Sequence, residues 1–153
     1  TYHYVDCKST MLHPDASLLI GEAIYARTES LGIEAIGGLE TGAIPLTISA
    51  LVSFHTHGRA DVSGFWVRDK VKDHGTKKLI EGGLEPGKKV LIVEDVTTKG
   101  GSALKAVEAI REHGCEIAMV LSLVDRQAGA GELFASHGIE LHSLFTLPQL
   151  LQD

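Results

Sequence analysis

Apolar and polar residues follow one another along this chain in two kinds of segment, short apolar runs and longer amphipathic stretches. The clearest run, KVLIVED at residues 89–95, has four consecutive apolar residues before two acids, which is typical of a strand covered on both faces. Other apolar-rich runs predict strands at residues 33–39, 63–68, 117–125 and 139–147. Strands that alternate with helices indicate βαβ units, so we expect an α/β fold with a mostly parallel central sheet flanked by helices.

Two amphipathic stretches predict helices with recognisable ends. Residues 102–113 (SALKAVEAIREH) carry apolar side chains at intervals of three and four, and Gly114 is a typical stop signal. An earlier helix is expected to begin near Pro14, with the proline in its first turn, and to end at about Leu31.

Three other segments carry weaker patterns. Residues 44–54 (IPLTISALVSF) predict a buried helix, although their β-branched content leaves a strand as the alternative. Residues 131–138 predict a short helix, and the polar segment 69–82 has no clear period. Since no repeat or linker interrupts the pattern, residues 1–153 are expected to form a single domain, which can bury about 68–70% of the surface that its unfolded chain exposes.

The charge of the chain restricts its partners. Its formal net charge of −6 argues against unspecific binding to nucleic acid or to an anionic membrane. A local basic patch at residues 68–78 (RDKVKDHGTKK), with five Lys or Arg against two Asp, is nevertheless suited to a small anionic ligand. The chain contains no apolar run of membrane-spanning length, and Cys7 and Cys115 have no CxxC spacing, so we expect a cytoplasmic protein.

The strand at 89–95 leads into a loop of hydroxyl and glycine residues. Gly100 and Gly101 permit a tight turn, and the loop amides with the amino end of the next helix predict a site for one phosphate group. Glu94 and Asp95 would repel a phosphate, so we expect them to bind sugar hydroxyls instead. A phosphate site next to acids that bind sugar hydroxyls suggests a ribose phosphate as the ligand. The alternative is a structural glycine turn with N-capping hydroxyls and solvated acids. The Walker pattern GxxxxGK[ST] and the pattern GxGxxG are both absent.

The stretch VLIVEDVTTKGGS at residues 90–102 resembles the phosphoribosyl-diphosphate (PRPP) signature of the type I phosphoribosyltransferases. Further segments narrow the resemblance to the orotate phosphoribosyltransferases. VRDKVKDHGTKKLIEG (67–82) is similar to their mobile catalytic loop, GGLETGAIP (37–45) to their diphosphate-binding loop, and LVDRQ (123–127) to their orotate-contacting strand end. YHYVDCKSTMLHP (2–14) resembles the segment that runs under the base. The resemblance implies the type I phosphoribosyltransferase fold, which is Rossmann-like.

The resemblance also implies an enzyme, a pentosyltransferase that moves the 5-phosphoribosyl group of PRPP to orotate. The products would be diphosphate and orotidine 5′-monophosphate, in pyrimidine biosynthesis. The catalytic residues that it implies are Arg68, Lys72, His74 and Asp95, with Lys72 the strongest candidate for the cation that meets the diphosphate. The implied PRPP-binding residues are Thr41, Arg68, Lys72, His74, Glu94, Asp95, Val96, Thr97, Thr98, Lys99, Gly100, Gly101 and Ser102.

The remaining implications concern the base, the metal and the assembly. The implied orotate-binding residues are Tyr4, Thr98 and Arg126. Mg²⁺ would be held mainly by PRPP, with Glu94 and Asp95 assisting through water. The family's catalytic loop reaches into the neighbouring subunit's site, which implies a homodimer with shared active sites. Without the resemblance, Arg126 is equally suited to an ion pair with Asp125 or Glu132, and the basic patch to a solvated surface loop.

Two departures from the family pattern keep other functions open. Asp69 stands where the family usually has Lys directly after the arginine. The family's usual amino-terminal segment, before the position of Thr1, is missing, so we expect a reduced hood over the base. The alternatives are a phosphoribosyltransferase that acts on another base and a non-catalytic regulator that senses PRPP or a nucleotide.

Overall fold

The computed structural model describes residues 3–71 and 78–152. The helices in these ranges are α1 (Lys8–Met11), α2 (Pro14–Thr28), α3 (Ala43–Thr56), α4 (Gly101–Glu112), α5 (Ala130–Ser136) and α6 (Leu147–Leu150), with a 3-10 turn at Glu29–Leu31. The strands are β1 (Ala35–Gly37), β2 (Ser63–Val67), β3 (Ile80–Gly82), β4 (Lys89–Thr97), β5 (Glu116–Asp125) and β6 (Leu141–Thr146).

One six-stranded sheet organises the described residues, in the order β3-β2-β1-β4-β5-β6. β2 and β3 pair antiparallel, whereas the other neighbours pair parallel. The ends of β4 and β5 are in register, with Thr97 opposite Asp125. Parallel pairing brings the loops after β1, β2, β4 and β5 to the same edge of the sheet, where open α/β folds bind ligands.

The sheet separates two apolar cores. Along β4, Leu91 and Val93 face the core formed with α2 and α3, while Val90 and Ile92 face the core formed with α4. All four side chains are at most 1% exposed. Burying each one contributes about 1.5–3 kcal/mol, which explains why this strand is apolar on both faces.

Most of the predicted elements are confirmed, including the mostly parallel sheet and the strands at β1, β2, β4, β5 and β6. Residues 44–54 are helical, as predicted, but burial holds for one face of the helix only: Leu46 and Phe54 are buried, whereas Ile48 and Val52 are 58% and 50% exposed. The segment without a clear period contains β3, which the sequence pattern missed. No helix in the described part of the chain is long and apolar enough to cross a membrane.

Candidate active site

The turn between β4 and α4 forms a small polar cavity of about 100 Å³. Gly100 adopts φ 84°, a left-handed conformation that favours glycine, and α4 begins at the next residue. The free amides at the start of α4 carry positive potential, so the cavity is suited to one phosphate group. The residues that line it are Glu94, Val96, Thr97, Thr98, Lys99, Gly100, Gly101, Ser102 and Ala103.

Glu94 lines this cavity and is only 6% exposed. Burial raises its pKa to about 8, and a hydrogen bond and the negative charge of Asp95 add to the shift. At pH 7 the carboxyl is therefore mostly protonated and can donate a hydrogen bond as well as accept one. Its Oε2 atom and the Oγ1 atom of Thr97 are buried and have no hydrogen-bond partner among the described residues.

The loop after β1 reaches Asp95 from the other side. A Cβ atom on Gly42 would collide with the Asp95 carboxylate, so the two segments approach as closely as a glycine permits. The Val67 N–H donates to Gly38 O over 2.8 Å and the Glu40 N–H to Val67 O over 2.8 Å, which fastens this loop to the end of β2. Thr41, which is exposed, follows a cis peptide bond after Glu40.

The predicted catalytic loop, residues 67–82, is called the catalytic segment below, and it leaves the sheet at the end of β2, next to the loop after β1. Arg68 donates from Nε over 3.0 Å and from Nη2 over 2.9 Å to Oε1 of Glu81 in β3. Asp69 accepts from Lys105 Nζ in α4 over 2.9 Å, and its own N–H donates to Glu40 Oε1 over 3.2 Å. The hydrogen bond from Lys105 and its positive charge lower the pKa of Asp69, and the charge of the neighbouring Lys70 adds to the effect. Lys72 and His74 lie outside the described residues.

The residues expected at orotate lie around the end of β5. The Arg126 N–H donates to Thr97 O over 2.9 Å, which joins the ends of β5 and β4. Its guanidinium donates from Nη2 to His3 O over 2.9 Å rather than forming either of the ion pairs considered from sequence. Tyr4, next to His3, is 83% exposed, and Thr98 is exposed at the mouth of the cavity.

Sequence reasoning missed three residues that hold this edge together, namely Glu40, Glu81 and Lys105. Each is a charged residue whose partner is distant in sequence, so no local pattern distinguishes it from a solvated surface charge. The described residues contain no group of three or more His, Cys, Asp or Glu side chains placed to hold a metal ion. Glu94 lines the cavity and Asp95 follows it in the chain, and the carboxylate oxygens of an ionised acid are ligands that Mg²⁺ prefers.

Comparisons with known proteins identify the family of this chain. Residues 13–136 match the phosphoribosyl transferase domain family. The orotate phosphoribosyltransferase of Rhodopirellula baltica is 44% identical over 151 residues, which cover 95% of this chain and 78% of that protein. The crystal structure of Mycobacterium tuberculosis H37Rv orotate phosphoribosyltransferase with Fe(III) dicitrate has a TM-score of 0.87 at 38% identity, covering 97% of this chain and 83% of that one. The same protein in complex with PRPP has a TM-score of 0.85 at 37% identity, covering 96% and 82%.

Proposed function

This chain belongs to the phosphoribosyltransferases and, within them, to the orotate phosphoribosyltransferases, and from this premise we propose its reaction and the role of each site residue. The enzyme transfers the 5-phosphoribosyl group of PRPP to orotate, which yields orotidine 5′-monophosphate and diphosphate in pyrimidine biosynthesis. The observation that carries the proposal is the cavity at the β4–α4 turn, a phosphate-sized cradle beside two buried polar atoms that lack partners among the described residues.

The cradle would bind the 5′-phosphate of PRPP. Backbone amides from Val96 to Gly101 and the amino end of α4 supply positive potential without a charged side chain. The hydroxyls of Thr97, Thr98 and Ser102 line the same cavity and can donate hydrogen bonds to the phosphate oxygens. Lys99, which also lines it, adds the positive charge of a side chain.

The acid pair would bind the ribose. A ribose hydroxyl both donates and accepts, so the mostly protonated Glu94 and the unpartnered Thr97 hydroxyl can each satisfy one. Asp95, packed against Gly42, would place negative charge near the sugar. This charge favours the oxocarbenium-like transition state, in which C1 of the ribose becomes positive.

The diphosphate would lie between the loop after β1 and the catalytic segment. Thr41 comes from the first of these, and Arg68, Lys72 and His74 from the second. As the C1–O bond of PRPP breaks, negative charge develops on the leaving diphosphate. Cations that meet this charge stabilise the transition state more than the ground state, which is how they accelerate the reaction.

Orotate would bind at the end of β5, next to the ribose. Arg126 presents a planar guanidinium whose fork matches a carboxylate or a pair of carbonyls. Its hydrogen bond to His3 O ties that guanidinium to the segment that carries Tyr4. Thr98, at the mouth of the cavity, would complete the orotate site.

Mg²⁺ is the cofactor in this proposal. The oxygens of PRPP would hold it, with Glu94 and Asp95 assisting through water: the Asp95 carboxylate suits such a hard ion, and the protonated Glu94 can hydrogen-bond to water bound by the ion. When bound, the ion neutralises charge on the diphosphate. We also propose that residues 1–153 act as one domain, that the protein is a homodimer with shared active sites, and that it is cytoplasmic. One sheet joining all the described strands supports the first of these, and two free cysteines support the last.

The test of the proposed function is a direct assay. The protein is mixed with Mg²⁺, PRPP and orotate, and the loss of orotate absorbance is followed. We expect turnover with orotate, and none when adenine or uracil replaces it. Turnover only with another base would overturn the choice of orotate. PRPP binding without turnover on any base would instead indicate the non-catalytic regulator.

Lys72→Ala tests the catalytic cation. Because the charge that Lys72 meets develops in the transition state, we expect kcat to fall by about 100-fold or more while the Kd of PRPP changes only a few-fold. Stopped-flow turnover and calorimetric titration of PRPP give the two quantities. Equal losses in kcat and in affinity would contradict this role, since they would indicate uniform binding of substrate and transition state.

A further inference from the structure

An ion pair joins the two ends of the catalytic segment, where the chain leaves β2 and returns through β3. These two joined ends are called the neck below. Arg68 directly follows β2, and its N–H donates to Leu79 O over 2.8 Å, which extends the antiparallel pairing by one step. Across this pairing, two N–H groups of the Arg68 guanidinium converge on a single oxygen of Glu81. The neck is therefore joined by both backbone and side-chain bonds.

The pair is shielded more than the other ion pairs between described residues. The side chains of Arg68 and Glu81 are 18% and 28% exposed, whereas every other such pair has at least one partner that is 43% exposed or more. Partial burial weakens screening by water and salt, so this bond orients its partners more firmly than a solvated pair does.

The geometry leaves the guanidinium able to bind a second anion. Arg carries five N–H donors in a rigid fork, and Glu81 occupies two of them. The remaining three can bind phosphate oxygens while Glu81 holds the plane of the fork. A long side chain that is held in one rotamer loses less conformational entropy when it binds a ligand.

We propose that Glu81 is a positioning residue, which orients Arg68 to bind the diphosphate group of PRPP. This inference rests on the proposed function, because it takes the diphosphate as the anion that Arg68 meets. Glu81 itself does not touch the substrate. Its carboxylate holds the guanidinium and, through it, the two strands from which the catalytic segment emerges.

Calorimetry on the full chain with two probes tests this role. Diphosphate with Mg²⁺ reports the part of the site that contains Arg68, whereas ribose 5-phosphate reports the cradle and the acid pair alone. Glu81→Gln replaces the charged carboxylate that accepts from Arg68 by a neutral amide, which holds the guanidinium less firmly. We therefore expect this variant to bind diphosphate about tenfold more weakly, and Glu81→Ala to bind it more weakly still. The affinity for ribose 5-phosphate should stay within about twofold, a separation that a general loss of folding would not produce.

A double variant and a matched control complete the design. In an Arg68→Ala background, Glu81→Gln should cause no further loss, since Glu81 acts only through Arg68. Glu85→Gln removes the charge of an exposed glutamate in the loop after β3 and should leave both affinities unchanged. Thermal melting shows whether each variant is folded, and if Glu81→Ala is not, Glu81→Gln decides.

The outcomes separate this inference from the proposed function. Unchanged or tighter diphosphate binding in folded Glu81→Gln would overturn the positioning role, while wild-type turnover with orotate would still support the proposed function. A wild-type chain that binds ribose 5-phosphate but not diphosphate would also overturn the role of Glu81. A wild-type chain that binds neither would overturn the proposed function itself.

Discussion

Burial changes the chemistry of one acid at the centre of the site. In the sequence, Glu94 and Asp95 are two neighbouring acids at the end of a strand. In the folded protein Glu94 is 6% exposed and its pKa is raised to about 8, whereas Asp95 is half-buried. Glu94 is thus a neutral acid that can donate as well as accept a hydrogen bond, next to an acid that keeps more contact with water.

The raised pKa of Glu94 predicts a pH-dependent stability. Below its ordinary pKa of 4.5 this carboxyl is protonated in both the folded and the unfolded chain. Between pH 4.5 and about 8 the unfolded chain loses the proton first, so the stability of the wild-type protein falls as pH rises. Glu94→Gln removes this titration. Its free energy of unfolding should therefore rise relative to wild type by about 2–5 kcal/mol between pH 5 and pH 8.5.

Urea unfolding of both ligand-free proteins at the two pH values measures this change. The informative quantity is the difference between the variant and the wild type, because other titrating groups affect both equally. A difference that is the same at pH 5 and pH 8.5 would show that Glu94 ionises normally in the folded chain.

The β4–α4 turn shows how one element serves both the fold and the site. Gly100 has a left-handed backbone, and a Cβ atom there would lie 3.1 Å from Leu133 and from Phe134. Gly101 has neither constraint, because its backbone is not left-handed and a Cβ atom would meet nothing within 4 Å. The first glycine is thus required by the turn, and the second borders the open space of the cavity.

These adjacent glycines provide a matched pair of variants. Gly100→Ala should lower the free energy of unfolding by about 1–3 kcal/mol, because alanine is strained in this conformation and crowds α5. Gly101→Ala should change stability by less than about 0.5 kcal/mol, yet weaken PRPP binding because its methyl group enters the cradle. Urea unfolding and PRPP calorimetry measure the two effects. Similar effects of both substitutions on stability would contradict this division of roles.

At the scale of the whole molecule, the proposed homodimer shares its active sites between subunits. If the catalytic loop acts across a homodimer, a chain with Lys72→Ala and a chain with Asp95→Ala can complement each other. Random mixing in equal amounts makes half of the dimers heterodimers, and each heterodimer has one intact site. We therefore expect about a quarter of wild-type activity from two inactive proteins.

The assay requires chains that are unfolded and refolded together, followed by separation of the heterodimer through two affinity tags. Each homodimer measured alone provides the baseline. Purified heterodimers without activity above that baseline would contradict the shared site. Lys72 and Asp95 would then act within the same subunit, and the activity of each single variant tests that arrangement.

The parts of this protein that could be predicted from sequence are those that depend on neighbours along the chain. An apolar run covered on both faces identifies β4, a period of three to four identifies α4, and the glycines between them identify the turn where the cavity lies. These signals are local, because burial and backbone conformation repeat with the geometry of a strand, a helix or a turn. The family resemblance extended them to the chemistry of the reaction.

The remaining features depend on contacts between residues that are distant in sequence. β3 has only three residues and exists because it pairs with β2, so its pattern is too short to detect. The Arg68–Glu81 pair, the bond from Arg126 to His3 and the protonation of Glu94 all arise where folding brings separate segments together and removes water. Local composition does not encode such proximity or such loss of solvation, and these are the contacts that shape the active site.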